Sequence, residues 1–172
     1  KVNQPYLFSL LRVFLKYNKV IKLAHVSRNL SKKTGFKEFT LLPCAVETEK
    51  CKRPIVKPTT INWPDLSQNS LKVVMVGNLN PVKDHMTVLA ALAILRQPVS
   101  LCIVGAFLST QKKYTKLLQN EVKKIQKTNK KIKVHLVGFK KQNVVQSLLE
   151  EADVFLLSSK SEACPITVLE AR

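Results

Sequence analysis

The sequence predicts an α/β fold: a parallel sheet with helices on both faces. From Leu71 onward, apolar runs of strand length alternate with amphipathic stretches of helical spacing. Strands that alternate with helices are joined by crossovers, which makes them parallel. Three of the four glycines, Gly77, Gly105 and Gly138, directly follow a strand-like run. Ligands of open α/β sheets bind outside the carboxyl ends of the strands. Glycine there either turns the chain or lets backbone approach a ligand closely.

The elements before that region are less regular. Residues 5–17 carry Leu7, Leu10, Leu11, Phe14 and Leu15 at helical spacing, with Arg12 and Lys16 between them. That stripe suits a core-facing helix or a helix lying on a membrane surface. Residues 20–26 and 39–42 read as strands, and residues 27–33 as a short helix or turn before Gly35. Pro54, Pro58 and Pro64, among Thr, Ser and Asn, give residues 51–70 the composition of an irregular linker. A domain boundary is expected near residue 67. Residues 1–66 then lie before a second domain at residues 67–172.

In the second domain, residues 71–76 read as a strand ending at Gly77. Asp84 can cap a helix with apolar positions Met86, Leu89, Ala90, Leu92, Ala93 and Leu95. Residues 99–104 read as a strand ending at Gly105. Residues 111–128 read as a helix with Tyr114, Leu117, Leu118, Val122 and Ile125 inward and lysines outward. Residues 132–137 form a strand ending at Gly138, with His135 packed inside. Residues 143–152 form a helix, and residues 154–157 form a last buried strand.

Charge and cysteine usage narrow the partners. Lys and Arg number 29 against 11 Asp and Glu, a formal net charge of +18. Such a balance suits an anionic partner, a membrane surface or a phosphorylated substrate, or else a solvated lysine-rich surface. Aromatic residues make up only 6% of the chain. Nucleic-acid binding needs aromatic stacking platforms or an arginine-rich face, so the composition argues against it. Cys44, Cys51, Cys102 and Cys164 show no C-x-x-C spacing and read as free thiols of a reducing, cytoplasmic setting. No D-x-D pair occurs, and no metal ligand set is expected.

The stretch from Ser158 to Glu170 carries the most chemistry. A strand leads into a polar turn, and Pro165 occupies a helix first-turn position, where its missing N–H costs nothing. Glu162 then lies in a strand-to-helix loop, and Glu170 lies over a turn into the helix. Helical side chains lean toward the N-terminus, so Glu170 can reach back toward the loop. Two carboxylates flanking free helix N–H groups suit a ligand with hydroxyls at both ends and phosphate between. Two glutamates at this spacing also occur on any soluble helix surface. A second site candidate is Gly77-Asn78-Leu79-Asn80-Pro81-Val82-Lys83-Asp84-His85, where Lys83 precedes a helix start. This loop is neither a P-loop nor a dinucleotide fingerprint.

These motifs, in this order, resemble the group 1 retaining glycosyltransferases of the GT-B fold. Glu162 and Glu170 match the E-x7-E signature. The Gly77 loop is similar to V-G-R-L-x-P-x-K-[DG]-H, with Lys83 at the Lys and Asn78 in place of the Arg. The runs 101–105, 134–138 and 152–158 also match in order. Leu42-Pro43-Cys44-Ala45-Val46-Glu47 loosely resembles the P-N-G-V-D crossover between the two domains.

The resemblance implies a Rossmann-like C-terminal donor domain, truncated at both ends, with a nucleotide-sugar as substrate and no cofactor. It implies that residues 1–66 are the tail of a preceding domain plus linker. It implies that Glu162, the catalytic candidate, contacts the donor sugar and that Glu170 contacts the ribose. Donor binding would also draw on Gly77, Asn78, Lys83, Gly105, Gly138, Ala163, Cys164 and Pro165. The acceptor is expected to be a glycan or lipid-linked acceptor, with an anionic membrane surface as a further partner of a cytoplasmic, peripheral protein. The usual catalytic histidine of the family would lie in the other domain, so this stretch alone is expected to bind donor without turnover. A partner subunit that has lost catalysis is the alternative, and Asn78 supports it.

Overall fold

The computed structural model describes residues 24–25, 40–42, 44, 63, 69–162 and 164–171. The chain divides into two compact units: Lys1–Val46 with Glu162–Ile166, and Glu47–Ser161 with Thr167–Arg172. The expected boundary near residue 67, the helix at 5–17 and the turn at 27–33 lie outside the described residues.

In the first unit, β1 (Ala24–His25) pairs in parallel with β2 (Thr40–Leu41). Both fall within the strands expected from the sequence.

The second unit holds a four-stranded parallel sheet in the order β5-β4-β3-β6. Its strands are β3 (Leu71–Val76), β4 (Val99–Val104), β5 (Ile132–Gly138) and β6 (Val154–Phe155). The helices are α1 (His85–Ile94), α2 (Lys112–Thr128) and α3 (Gln142–Glu151), together with α4 (Ile166–Glu170), which belongs to this unit from Thr167 on. Side chains alternate across a strand, so β3 supplies two cores. Val73 and Met75 pack with Leu101, Ile103 and Ile132 beneath Leu89 of α1 and Leu118, Val122 and Ile125 of α2. Val74, Cys102 and Val104 pack on the other face with Val145 and Leu148 of α3. Helices therefore cover both faces, and every residue of β4 is buried. A strand covered on both sides needs a continuous apolar run, which is what 99–104 supplies.

Several local expectations change. The last strand is shorter than 154–157, because β6 pairs only with the middle of β3, Val73 and Val74. His135 is exposed, not packed: among the described residues β5 is an edge strand of this sheet. Leu117 is 52% exposed, so the inward stripe of α2 is narrower than its apolar content. On α1 the buried residues are His85, Val88, Leu89 and Leu92, while Ala90, Ala93 and Leu95 are exposed. Asp84 occupies the cap position of α1 but makes no side-chain cap bond. It also ends the 3-10 turn Pro81–Lys83, where its N–H donates to the Pro81 carbonyl, and this double duty holds it at φ 49. Its carboxylate instead accepts from the Thr87 hydroxyl at 2.9 Å and faces the Lys160 ammonium at 3.7 Å.

Polar ties set the ends of the sheet. The Asp153 carboxylate accepts from the Lys72 N–H at 2.7 Å, and the Asp153 N–H donates to the Lys72 carbonyl at 2.9 Å. This reciprocal pair fixes where β6 enters beside β3. The Trp63 indole N–H donates to Glu151 Oε2 at 2.9 Å, and the Lys72 ammonium lies 5.8 Å from the centre of the Trp63 ring.

Candidate functional site

Strand order places the site. From β3 the chain builds outward through β4 to β5, then returns to lay β6 on the opposite side of β3. The crevice between β3 and β6 at their carboxyl ends is the topological switch point, where such sheets bind ligands. Two loops flank it: residues 77–84 after β3 and 156–161 after β6. They are tied together. The Ser158 hydroxyl lies 2.8 Å from the Lys83 carbonyl oxygen and 3.1 Å from that of Asp84. The Lys160 N–H donates to the Val82 carbonyl at 2.8 Å.

The first loop is shaped by Asn80, whose side-chain oxygen accepts from the N–H groups of Val82 at 3.0 Å and Lys83 at 3.2 Å. Short polar side chains close turns in this way. The turn directs the Lys83 stem across Gly77. A Cβ on Gly77 would lie 3.1 Å from Lys83 Cε and 3.2 Å from Cδ. The missing side chain at Gly77 thus leaves the lane along which this lysine runs.

The expected glycine rim is contiguous. The Gly77 N–H donates to the Val104 carbonyl at 2.8 Å, and the Gly105 N–H donates to the Gly138 carbonyl at 3.0 Å. Leu79 N–H reaches the Ala106 carbonyl at 3.1 Å, and Asn78 Oδ1 accepts from the Ala106 N–H at 3.3 Å. Gly77, Asn78, Lys83, Gly105 and Gly138 therefore form one rim. Asn78, offered as a ligand contact, spends its carbonyl oxygen joining two loops. A Cβ on Gly105 would overlap the Gly77 carbonyl group.

The other candidates are placed as follows. Glu170 is half-buried, and its Oε1 accepts from Gln142 Nε2 at 2.7 Å. Glu162, Cys164 and Pro165 belong to the first unit and are half-buried. Ala163 lies outside the described residues. Pro165 immediately precedes α4, one position ahead of the first-turn place that the sequence suggests. Among the described residues, no three His, Cys, Asp or Glu side chains group closely enough to hold a metal ion.

His85 was not anticipated as a buried group. It is fully buried at the start of α1, with Nδ1 3.1 Å from the Tyr114 hydroxyl and no partner for Nε2 among the described residues. Burial, helped by the nearby Lys83 charge, pushes its pKa down to about 4. Burial also raises that of Tyr114. The imidazole is therefore a neutral strut behind the lysine turn. Ser158, Lys160 and His85 lie in stretches that the sequence singles out, but their bonds, like that of Gln142, were silent, because each runs to a partner distant along the chain.

The sequence profile of the group 1 glycosyl transferases matches residues 57–172, more than half of the chain. Among solved structures, the chain is similar to Anabaena Alr3699/HepE in complex with UDP, with TM-score 0.72 and 16% identity over 95% of this chain and 46% of that one. It is similar to a glycosyltransferase from Rickettsia africae, with TM-score 0.67 and 17% identity over 87% and 41%. It is also similar to sucrose-phosphate synthase from Thermosynechococcus elongatus, with TM-score 0.66 and 18% identity over 86% and 37%. The chain thus spans less than half of the length of each of these proteins. No curated protein sequence matches it significantly. The parallel sheet, the order of the motifs and the profile match agree: the chain belongs to the group 1 glycosyltransferases, with the fold of a GT-B C-terminal domain.

Proposed function

We propose that the protein binds a nucleoside-diphosphate sugar over the carboxyl ends of β3 and β6 and, in the whole enzyme, transfers the sugar to a glycan or lipid-linked acceptor. The observation that supports this best is Lys83, laid across Gly77 by the Asn80 turn and braced through its carbonyl by Ser158. A cation on a fixed turn, among backbone N–H groups, suits a diphosphate without a metal. HepE, in the same family fold, was solved with UDP.

The family resemblance assigns Lys83 to the diphosphate, Glu170 to the ribose and Glu162 to the sugar, with Ala163, Cys164 and Pro165 as further donor-binding positions. Retention follows from front-face attack. The bond from the anomeric carbon to phosphate oxygen breaks, and the acceptor oxygen bonds to the same face. Its proton passes to the departing diphosphate. The domain boundary near residue 67 belongs to this reading.

Isothermal titration calorimetry of full-length variants tests the assignments. Lys83→Ala and Glu170→Ala should each weaken free nucleoside diphosphate by about 1.5–3 kcal/mol, the worth of a charged hydrogen bond. Glu162→Ala should leave the free nucleotide unchanged and weaken only the sugar nucleotide. Equal loss of both ligands in Glu162→Ala contradicts the division of labour.

Asn78 favours a second reading, a partner subunit without turnover. It brings no cation where the family has Arg, and its carbonyl oxygen is engaged by Ala106. A full-length protein that binds nucleotide sugar yet releases no sugar to any acceptor would select it.

The basic surface supports peripheral attachment at the cytoplasmic face of a membrane. Lys112, Lys113, Lys116, Lys123, Lys124 and Lys127 are exposed along α2. An anionic leaflet attracts each nearby lysine by about 1 kcal/mol. Full-length protein should sediment with anionic vesicles at low salt and be released as salt screens the contact. Equal sedimentation with neutral vesicles would point to apolar insertion instead.

A further inference from the structure

The turn that carries Lys83 also carries an acid. Asp84 follows it directly, at a backbone position, φ 49, that glycine would fill without a charge. The Asp84 side chain is only 18% exposed, so water screens its charge poorly. Its two carboxylate oxygens are divided. Oδ2 accepts from the Thr87 hydroxyl at 2.9 Å, and Oδ1 faces the Lys160 ammonium at 3.7 Å. That distance is too long for a hydrogen bond, so the second contact is a pairing of charges. Lys160 is held to this turn by its backbone as well. Its N–H donates to the Val82 carbonyl at 2.8 Å, and the nearby Ser158 hydroxyl reaches the carbonyls of Lys83 and Asp84. The loop after β6 is therefore fastened to the turn whose acid it faces.

Asp84 works against an anion site in this turn. A carboxylate beside Lys83 repels a diphosphate and, at a distance, cancels the charge of the lysine. His85, the next residue, is neutral at pH 7, and Asn78 brings no cation. We propose that Lys160 is a positioning residue of the donor site: its ammonium neutralises Asp84 and so leaves the charge of Lys83 for the diphosphate. Without Lys160 the turn carries no net charge; with it, the turn keeps the positive charge of Lys83. Lys160 acts through Asp84 and touches no phosphate itself. A pair this exposed on its lysine side adds little to stability, so its effect is read in ligand binding. The inference rests on the donor reading of Lys83.

Calorimetric titration of the full-length protein tests it, with whichever of UDP, GDP and ADP the wild type binds best and the matching monophosphate. Lys160→Ala should weaken the diphosphate by about threefold to tenfold, as expected for one partly screened charge at the edge of the site. The loss should be larger at low salt than at high salt. Lys160→Ala/Asp84→Asn should regain the wild-type affinity, because a turn without the acid needs no partner for it. Asparagine can accept the Thr87 bond and tolerates the left-handed backbone, so the double variant keeps the turn. An unchanged affinity in Lys160→Ala would overturn the inference and leave an ordinary surface pair. A loss that Asp84→Asn does not repair would overturn it too, since Lys160 would then touch the phosphate directly. In both cases the donor reading stands if Lys83→Ala still abolishes the preference for diphosphate. A wild type with no such preference defeats the donor reading, and this inference with it.

Discussion

Gly105→Ala should destabilise the second unit by about 3 kcal/mol or more, the upper range for forcing an atom into a packed interior. The added Cβ meets the Gly77 carbonyl, and backbone cannot rotate aside as a side chain does. Moving it means opening the Gly77–Val104 hydrogen bond and separating the first two loops of the rim. Gly138→Ala should cost less, about 1–2 kcal/mol, because Gly138 is left-handed at φ 77 and its neighbour is the edge of the Phe107 ring. Gly77→Ala should cost least in stability, since only the flexible Lys83 stem stands in the way. Urea unfolding of the three variants gives the ranking. A Gly105→Ala protein as stable as Gly77→Ala would mean that the two loops are not held this close.

His85 should make stability fall between pH 6.5 and pH 4. Its folded pKa lies near 4 against an unfolded value of 6.5, so in that window the unfolded chain binds the extra proton. The full contribution is present above pH 6.5 and is lost as pH falls through the folded value. From pH 7 to pH 4.5 the loss attributable to His85 is about 2–3 kcal/mol at 1.36 kcal/mol per pKa unit. His85→Leu keeps an apolar side chain at the site and cannot titrate. Urea midpoints of wild type and His85→Leu at both pH values isolate the difference, because the carboxylates titrate in both proteins. Equal acid loss in the two would show that His85 is hydrated and titrates normally.

The sheet was legible because its strands are unambiguous. Residues 71–76 and 99–104 are short apolar runs of strand length, and each is followed by glycine. The edges were less so. His135 looks like a core residue in a run of valines and leucines, and only the knowledge that β5 is an edge strand turns it outward. Leu117 fits the apolar stripe of α2, but the contact with the sheet is already filled by Leu118, Val122 and Ile125. Asp84 has the residue type of a cap, yet a preceding 3-10 turn takes over its backbone.

The site divides in the same way. Lys83 and the glycines were visible as a motif because they lie close together in sequence or at strand ends. The bonds that hold them were not. Ser158 to Lys83, Asn78 to Ala106 and Gln142 to Glu170 join residues far apart along the chain. Nothing in local composition pairs such residues. They emerge only when the parallel crossovers bring successive loops to one edge of the sheet.

The central claim is that the switch-point rim holds a nucleoside diphosphate through Lys83. Calorimetric titration of the full-length protein with UDP, GDP and ADP, each beside its monophosphate, tests it most directly. The account predicts that at least one diphosphate binds, that its monophosphate binds at least about tenfold more weakly, and that Lys83→Ala erases the difference, since a charged hydrogen bond is worth about 1.5–3 kcal/mol. Equal affinity for mono- and diphosphate in the wild type, or a preference that survives Lys83→Ala, would contradict it.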